Sequence, residues 1–298
     1  MSQSLSKQIE RLVDIGQKDY GQAQDVKLFT RMMLQTVIPR KQTGKKEIII
    51  RNGHWQIGIQ SGIGEKLPSG SLPRLILILT IALAIEHNSR TVPLGSCLAE
   101  FMDWLGIKEK TGGRWGTITR VKTSARQLFK SRVSVEYTGP KGYAFESIQF
   151  ADKVRAYWTI SSYNQPDLQG HVVVLHELFY DYIKQNPFPL DFDILKSLAR
   201  SPLGIDLYVW LSYRMFNLKE PAGISWKQLH VQMGATYGST DDFVKNTKRE
   251  LKKINLAWSG LRYDTPRGRL ILHPSPLSVP ATNPRKQIIA KISGKNSG

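Results

Sequence analysis

Apolar side chains recur at helical spacing in several separate segments of this chain. The stretch 73–88 is apolar over most of its length, and Pro73 suits the first turn of a helix. A second helix is predicted from about Ser96 to Gly106, and a third over 114–131. In the third helix, apolar residues recur every three to four positions and basic side chains occupy the opposite face.

Alternating and β-branched runs predict two hairpins beside these helices. The first lies over 47–60, where Asn52-Gly53 separates two β-rich runs in a way typical of a tight hairpin turn. The second lies over 133–150, directly after the third helix. The order helix, helix, basic helix, hairpin is that of a winged helix-turn-helix domain, whose third helix enters the DNA major groove.

The same order of elements recurs in the second half of the chain. The predicted elements are an apolar helix over 202–217, a short strand over 224–226, a helix that Ser225 caps and that ends at 233–234, a basic helix over 241–254, and wing strands over 256–258 and 270–272. Ile118 of the first copy falls on Val244 of the second, an offset of 126 residues. Two modules in the same order indicate an internal structural repeat.

The sequence therefore predicts an α+β protein with two tandem winged-helix domains, mainly helical with β-hairpin wings. We expect a flexible N-terminal arm over 1–30, a first winged-helix domain with an N-terminal hairpin over 31–160, a second over 170–276, and a disordered basic tail over 277–298. The tail is rich in Pro, Ser, Lys and Arg, and it has too few apolar residues to form a core.

Charge adds a functional class to this picture. The 298 residues contain 42 Lys and Arg against 24 Asp and Glu, a net charge of +18, and both halves are basic. Such a balance is typical of proteins that bind nucleic acid, although a basic protein without such a partner stays an alternative. The single cysteine, Cys97, excludes an intrachain disulfide and suits the cytoplasm. The apolar run 75–85 is too short for a membrane span, so no membrane partner is expected.

Motifs for catalysis are absent from the sequence. Gly44-Lys45-Lys46 lacks the upstream glycine and the following Ser or Thr of a nucleotide-binding loop. The six histidines never occur as His-x-His, and His176-Glu177 lacks the second histidine of a zinc-protease motif. We therefore expect no enzymatic activity, no cofactor and no metal.

Five segments carry a resemblance to a known family. They are LPRLILILTIALAI (72–85), TGGRWGTITRVKTSARQLF (111–129), SPLGIDLYVWLSYRMF (201–216), ISWKQLHVQMGATYG (224–238) and ILHPSP (271–276). Together they resemble the RepA-type plasmid replication initiators, over roughly residues 28–276. The resemblance implies binding to repeated origin sites (iterons), recruitment of host DnaA and the replicative helicase, and often repression of the protein's own promoter by a dimer.

The candidate DNA-binding residues lie on the two basic helices and the two wings. For the first module they are Arg114, Arg120, Thr123, Arg126, Gln127, Lys130, Arg132 and Lys141; for the second, Lys245, Asn246, Lys248, Arg249, Lys252, Lys253, Arg262, Arg267 and Arg269. Arg120, Thr123 and Gln127 in the first helix and Asn246 and Arg249 in the second are the predicted base readers, because Arg pairs with guanine and Asn or Gln with adenine. The remaining basic residues are predicted to contact phosphates or, in the wings, the minor groove.

Three other functions stay open from the sequence: a winged-helix transcriptional repressor without a replication role, a DNA-nicking enzyme, and an RNA-binding protein. RNA binding is disfavoured because Trp104, Trp210 and Trp226 sit at predicted helical core positions rather than on an open sheet. A homodimer is also predicted, with the apolar patch 32–38 and the hairpin 47–60 as candidate contact segments.

Overall fold

The computed structural model describes residues 37–52, 54–139, 142–156, 158, 163–166, 170–185, 190–234, 237 and 239–279. The predicted N-terminal arm, the residues after 279 and the wing-tip residue Lys141 lie outside the described residues. Helices and strands are mixed along the described chain, which confirms the α+β class.

Eight helices and ten strands are present in the described residues. The helices are α1 (Ser71–Glu86), α2 (Leu98–Trp104), α3 (Thr117–Phe129), α4 (Glu177–Gln185), α5 (Phe192–Ser197), α6 (Pro202–Asn217), α7 (Trp226–Gln232) and α8 (Thr240–Ala257). The strands are β1 (Glu47–Asn52), β2 (Trp55–Gln60), β3 (Thr91–Pro93), β4 (Arg132–Gly139), β5 (Gly142–Gln149), β6 (Ala151–Arg155), β7 (Val172–Leu175), β8 (Ala222–Ser225), β9 (Tyr263–Asp264) and β10 (Arg269–Leu272).

A four-stranded antiparallel sheet in the order β1-β2-β4-β5 joins the two predicted hairpins of the first half. Asn52 lies opposite Trp55, so the pairing of the two strands predicted over 47–60 is confirmed. The sheet turns one apolar face inward, where Ile57, Ile59 and Val133 are buried. Because side chains alternate along each strand, the opposite face is left to solvent.

The strands β3, β7 and β6 form a second, three-stranded sheet. Both β3 and β6 pair with β7, so residues 172–175 pair with strands that lie within the first predicted domain, 31–160. The following helix α4 contacts α1, and Phe179 of α4 packs edge-on against Phe150. We therefore call residues 37–185 the N-terminal lobe and residues 190–279 the C-terminal lobe. The division into winged-helix domains over 31–160 and 170–276 stays a prediction.

The C-terminal lobe contains the helices α6, α7 and α8 and a three-stranded sheet in the order β8-β10-β9. The predicted capping role of Ser225 is confirmed, since its hydroxyl accepts from the Gln228 backbone N–H while the Gln228 side chain accepts from the Ser225 N–H. The wing strand predicted at 256–258 is wrong. Helix α8 continues to Ala257, and the two wing strands are instead β9 and β10.

A buried ion cluster joins the two lobes. Arg74 of α1 is fully buried, and its Nε donates to Asp206 Oδ1 of α6 at 2.7 Å. A second arginine, Arg40, donates from Nη2 to Asp206 Oδ2 at 3.2 Å and to the Met233 carbonyl at 2.8 Å. Burial lowers the pKa of Arg40, and Asp206 opposes that shift. One carboxylate thus ties the segment before β1, helix α1 and helix α6 together.

Candidate nucleic-acid interface

A glycine-rich loop precedes helix α3 and delays its start to Thr117, three residues later than predicted. Gly113 has a φ of +82°, and a Cβ added to Gly116 would stand 2.1 Å from the Gly112 carbonyl oxygen. Only glycine suits these positions, so the helix cannot extend back to Arg114. The loop is fixed by reciprocal hydrogen bonds, because the Thr117 N–H donates to Thr111 Oγ1 and the Thr111 N–H donates to Thr117 Oγ1.

Helix α3 packs on α1 with one apolar face and leaves Arg120 exposed on another. Thr123 is partly exposed beside it. Gln127 is only 9% exposed, so its prediction as a base reader on the outer face is wrong. The spacing of apolar residues identified one packed face of α3. The C-terminal end of α3 is also covered by the loop after β2, because a Cβ added to Gly62 would stand 2.5 Å from Lys130 Cβ.

That same loop places a carboxylate among the predicted phosphate contacts of α3. Arg126 Nε lies 2.7 Å from Glu65 Oε1, and Lys130 Nζ lies 3.5 Å from the same oxygen. Both basic side chains stay more than half exposed, while Glu65 is almost buried. Their positive charge is therefore partly neutralised within the protein, although each head group remains open to solvent.

Trp115 is an exposed residue beside the candidate interface that the sequence analysis did not single out. Its side chain is 82% exposed, directly before α3, and the Arg114 guanidinium lies 5.2 Å from the centre of its ring. The other tryptophan side chains that the structure describes are buried or partly buried. The sequence signal that could have identified it is a large aromatic residue between Gly113 and Gly116, where no helical core face exists.

In the β4-β5 hairpin, which the sequence predicts as the first wing, Arg132 begins β4 and is exposed. It lies opposite Gln60 of β2 and Gln149 of β5, so its row of the sheet is polar. The wing tip with the predicted residue Lys141 lies outside the described residues.

Helix α8 is longer than predicted, and its N-terminal end is negative. The Ser239 hydroxyl caps it by accepting from the Asp242 N–H at 3.1 Å. Asp241 and Asp242 lie in the first turn, where they stabilise the positive end of the helix dipole. Phe243 begins the buried face, and Lys245 lies exposed on the outer face.

A buried glutamate lies beneath two of the predicted contacts of α8. Glu250 is 1% exposed, and its Oε1 lies 3.4 Å from Arg249 Nε and 3.1 Å from Lys253 Nζ. Both basic side chains remain more than half exposed. The buried carboxylate therefore orients them without removing them from solvent.

The remaining predicted residues of the C-terminal lobe are placed as follows. Asn246 donates from Nδ2 to the Asp242 carbonyl at 2.7 Å, so its amide is engaged within the helix. The Lys248 ammonium lies 5.8 Å from the centre of the Trp226 ring, which anchors that side chain to α7. Lys252 of α8 and the wing residues Arg262, Arg267 and Arg269 are all exposed.

The predicted residues thus form two basic sets, one on α3 with its loop and wing and one on α8 with its wing. Within the described residues, no three His, Cys, Asp or Glu side chains are grouped as a metal site would need. The described helices also include none with the length and apolar character of a membrane span.

Comparison with known proteins places this arrangement in a family. The family described as plasmid encoded RepA protein matches residues 67–228, slightly more than half of the chain, including all of α1 to α6 and the first wing. The chain belongs to the plasmid-encoded RepA family. The resemblance predicted from the sequence is confirmed, and membership supports a role in the initiation of plasmid replication.

Solved structures with a similar fold include two of RctB. The crystal structure of RctB domains 2–3 has a TM-score of 0.53 with 13% sequence identity and covers 80% of this chain and 94% of that chain. A selenomethionine derivative of the same two domains has a TM-score of 0.54 with 14% identity, covering 79% and 92%. At this identity the likeness concerns the fold alone. No curated protein matches the chain by sequence.

Proposed function

We propose that this RepA-family protein initiates plasmid replication by binding repeated sites in double-stranded origin DNA through two winged-helix modules, one in each lobe. The observation that carries the proposal concerns the last helix before the hairpin in each lobe, α3 and α8. Basic side chains are exposed on both: Arg120 on α3, and Arg249 and Lys253 on α8. Exposed Lys and Arg along such a helix supply phosphate affinity and base readout.

Two such modules on one chain predict an extended binding site. If α3 and α8 occupy successive major-groove faces, the site covers about 20 base pairs, or two turns of duplex. Fluorescence anisotropy with duplex fragments of the flanking plasmid DNA, at several salt concentrations, tests the proposal. We expect a steep loss of affinity with salt, because each neutralised phosphate releases a counterion. Absence of a salt-sensitive complex would rule the proposal out, and a footprint of one turn would rule out the two-module mode.

Replication and repression are separated by a maintenance assay. A selectable DNA fragment without an origin of replication is joined to the gene and its flanking DNA, and transformants are counted. Stable maintenance supports an initiator, whereas DNA binding without maintenance supports a winged-helix repressor. We propose that the protein is cytoplasmic and acts by binding DNA rather than by catalysis. A nick in supercoiled DNA incubated with the protein and Mg²⁺ or Mn²⁺ would identify the nicking alternative instead.

We also propose a homodimer formed through the outer face of the β1-β2-β4-β5 sheet. Ile49, Tyr143 and Phe145 are exposed large apolar side chains on this face. Arg51, Gln56 and Glu136 form a polar row across the same face. Ile49→Lys should shift the sedimentation coefficient from that of a dimer to that of a monomer, because it places a charge in the contact. An unchanged dimer would contradict this contact. Recruitment of host DnaA and the replicative helicase follows from family membership as a further proposal, testable by pull-down with the purified host proteins.

A further inference from the structure

Trp115 is exposed to a degree that its packing does not explain. The indole is 82% exposed, although a tryptophan side chain offers more apolar area than any other and folding ordinarily buries it. It contacts Arg114, whose guanidinium lies 5.2 Å from the ring centre, and takes no place in the buried core of the described residues. A large exposed apolar group of this kind indicates a contact made with something outside the chain.

The backbone that carries Trp115 is held in one conformation. Thr117 Oγ1 donates to the Glu109 carbonyl at 2.7 Å, and Thr119 Oγ1 donates to the Gly113 carbonyl at 2.7 Å. With the reciprocal bonds between Thr111 and Thr117, these contacts fix the loop on both sides of the tryptophan. The indole is therefore presented to solvent by an ordered support, which lowers the entropy lost when it binds.

The surroundings of Trp115 indicate a polyanion rather than an apolar partner. Residues 108–132 contain eight Lys and Arg and one acidic residue, Glu109. Trp115 also lies at the N-terminal end of α3, which is the end of a recognition helix that approaches the base edges. The flat face of a nucleobase that has left the duplex stack can pack on an indole irrespective of sequence.

We propose that Trp115 is a base-stacking residue that captures a nucleobase released from the duplex at the edge of the bound site. The proposal rests on the DNA binding proposed above and adds to it a reason to prefer DNA that has begun to open. Arg114 stays beside the ring and meets the adjacent phosphate, while the indole stacks on the unpaired base. The affinity that Trp115 contributes then comes from base stacking and not from charge, so it leaves the salt dependence of the complex unchanged.

The test uses the full-length protein and three forms of the origin duplex. One is blunt, one carries a short single-stranded thymidine tail, and one carries an abasic tail of the same length and charge; each tail is placed at the 5′ and at the 3′ end. We expect the wild type to bind the thymidine-tailed duplex about ten-fold tighter than the abasic-tailed one in at least one polarity, within the range reported for one base stacked on an aromatic side chain. Trp115→Ala should abolish that difference, and Trp115→Phe should retain part of it.

Matched variants separate stacking from charge and from general exposure. Arg114→Ala should weaken binding to both tailed duplexes equally, because it removes a phosphate contact. Leu256→Ala removes another exposed apolar side chain, 87% exposed on α8, and should change neither affinity nor preference. Thermal unfolding of each variant checks that the fold is kept, as expected for exposed positions.

Tryptophan fluorescence gives a second readout of the same contact. The thymidine tail should quench emission more than the abasic tail in the wild type, and Trp115→Phe should remove that extra quenching. If the wild type binds all three duplexes equally, or if Trp115→Ala keeps the preference, base stacking by Trp115 is excluded while DNA binding stands. If the wild type binds none of the duplexes, the proposed function itself fails.

Discussion

The two lobes follow the same order of helices and wing, yet their basic helices begin in opposite ways. Helix α3 begins at Thr117, directly after the N-cap residue Gly116. It has no side-chain cap and no acidic residue in its first turn, and Arg114 and Trp115 lie just before it. Helix α8 begins with the Ser239 cap and carries Asp241 and Asp242 in its first turn. An anion is therefore attracted to the start of α3 and repelled from the start of α8.

This difference places the positive charge at unequal positions along the two helices. In the N-terminal lobe, the positive helix end lies next to the loop that carries Arg114 and Trp115. In the C-terminal lobe, the exposed positive charge lies further along the helix, at Lys245, Arg249, Lys252 and Lys253. Under the DNA binding proposed above, α3 would contact DNA through its start and α8 through its middle.

The wings differ in their surroundings as well. Strand β4 of the hairpin β4-β5 pairs with β2 of the hairpin β1-β2, so both hairpins belong to one four-stranded sheet with an exposed outer face. The hairpin β9-β10 belongs to a three-stranded sheet, in which β10 pairs with the short strand β8. The N-terminal lobe therefore has a broad exposed sheet face, and the C-terminal lobe has a small hairpin with exposed arginines.

The largest expected effect concerns the link between the lobes. Asp206→Asn leaves Arg74 buried without its counter-charge, and breaking a buried ion pair from one side costs about 3–5 kcal/mol. Urea denaturation followed by circular dichroism measures the loss. If the lobes are stable separately, the variant should unfold in two transitions where the wild type unfolds in one.

The exposed ion pair of Arg90 and Asp152 is the matched control. Its side chains are 42% and 37% exposed, so Asp152→Asn should cost no more than about 1 kcal/mol. A loss of similar size for Asp206→Asn would show that the buried cluster contributes little and that the two lobes are not coupled through it.

A smaller effect is expected at the middle of α8. Arg249→Ala should reduce the preference for the specific site over random duplex by about 1–3 kcal/mol, because a guanidinium that pairs with guanine is lost. Lys253→Ala should instead weaken binding to all sequences alike and reduce the salt slope by about 1. Anisotropy titrations with both duplexes distinguish the two variants, and equal losses on both for Arg249→Ala would contradict base reading by this residue.

Most helices followed from the sequence because their apolar faces meet the core within the same lobe. The helix over 202–217 was predicted to the residue, and the Ser225 cap was found from its own side-chain chemistry. The start of α3 was missed because the sequence alone does not show that the backbone at Gly116 passes close to Gly112.

The errors in the site arise from contacts between segments distant in sequence. Gln127 is buried and Arg126 is paired with Glu65 at the C-terminal end of α3, which the loop after β2 also covers. The packed face of one helix does not contain that information. The same applies to Glu250, whose burial against α6 orients Arg249 and Lys253: a Cβ at Gly204 would stand 2.9 Å from its Oε2.

The smallest expected effect distinguishes the two wings by pH. Glu146 of β5 lies opposite Val135 on the packed face of the four-stranded sheet, and burial raises its pKa to about 7. The folded state therefore holds a proton on Glu146 that the unfolded state releases near pH 4.5, so stability falls as the pH rises from about 4.5 to about 7. Because the group keeps part of its solvent exposure, we expect this to amount to about 1 kcal/mol.

Glu146→Gln removes the titrating group while keeping its shape. The variant should be more stable than the wild type at pH 8 by about 1 kcal/mol, and the difference should vanish below about pH 4.5, where Glu146 is protonated in both states. Urea denaturation over this pH range measures it. In the second wing, Asp264 is exposed and pairs with His273 at 2.7 Å, so Asp264→Asn should not reproduce the gain at pH 8. A pH-independent difference for Glu146→Gln would mean that the carboxylate is hydrated in the folded sheet, and the wings would then be alike in their response to pH.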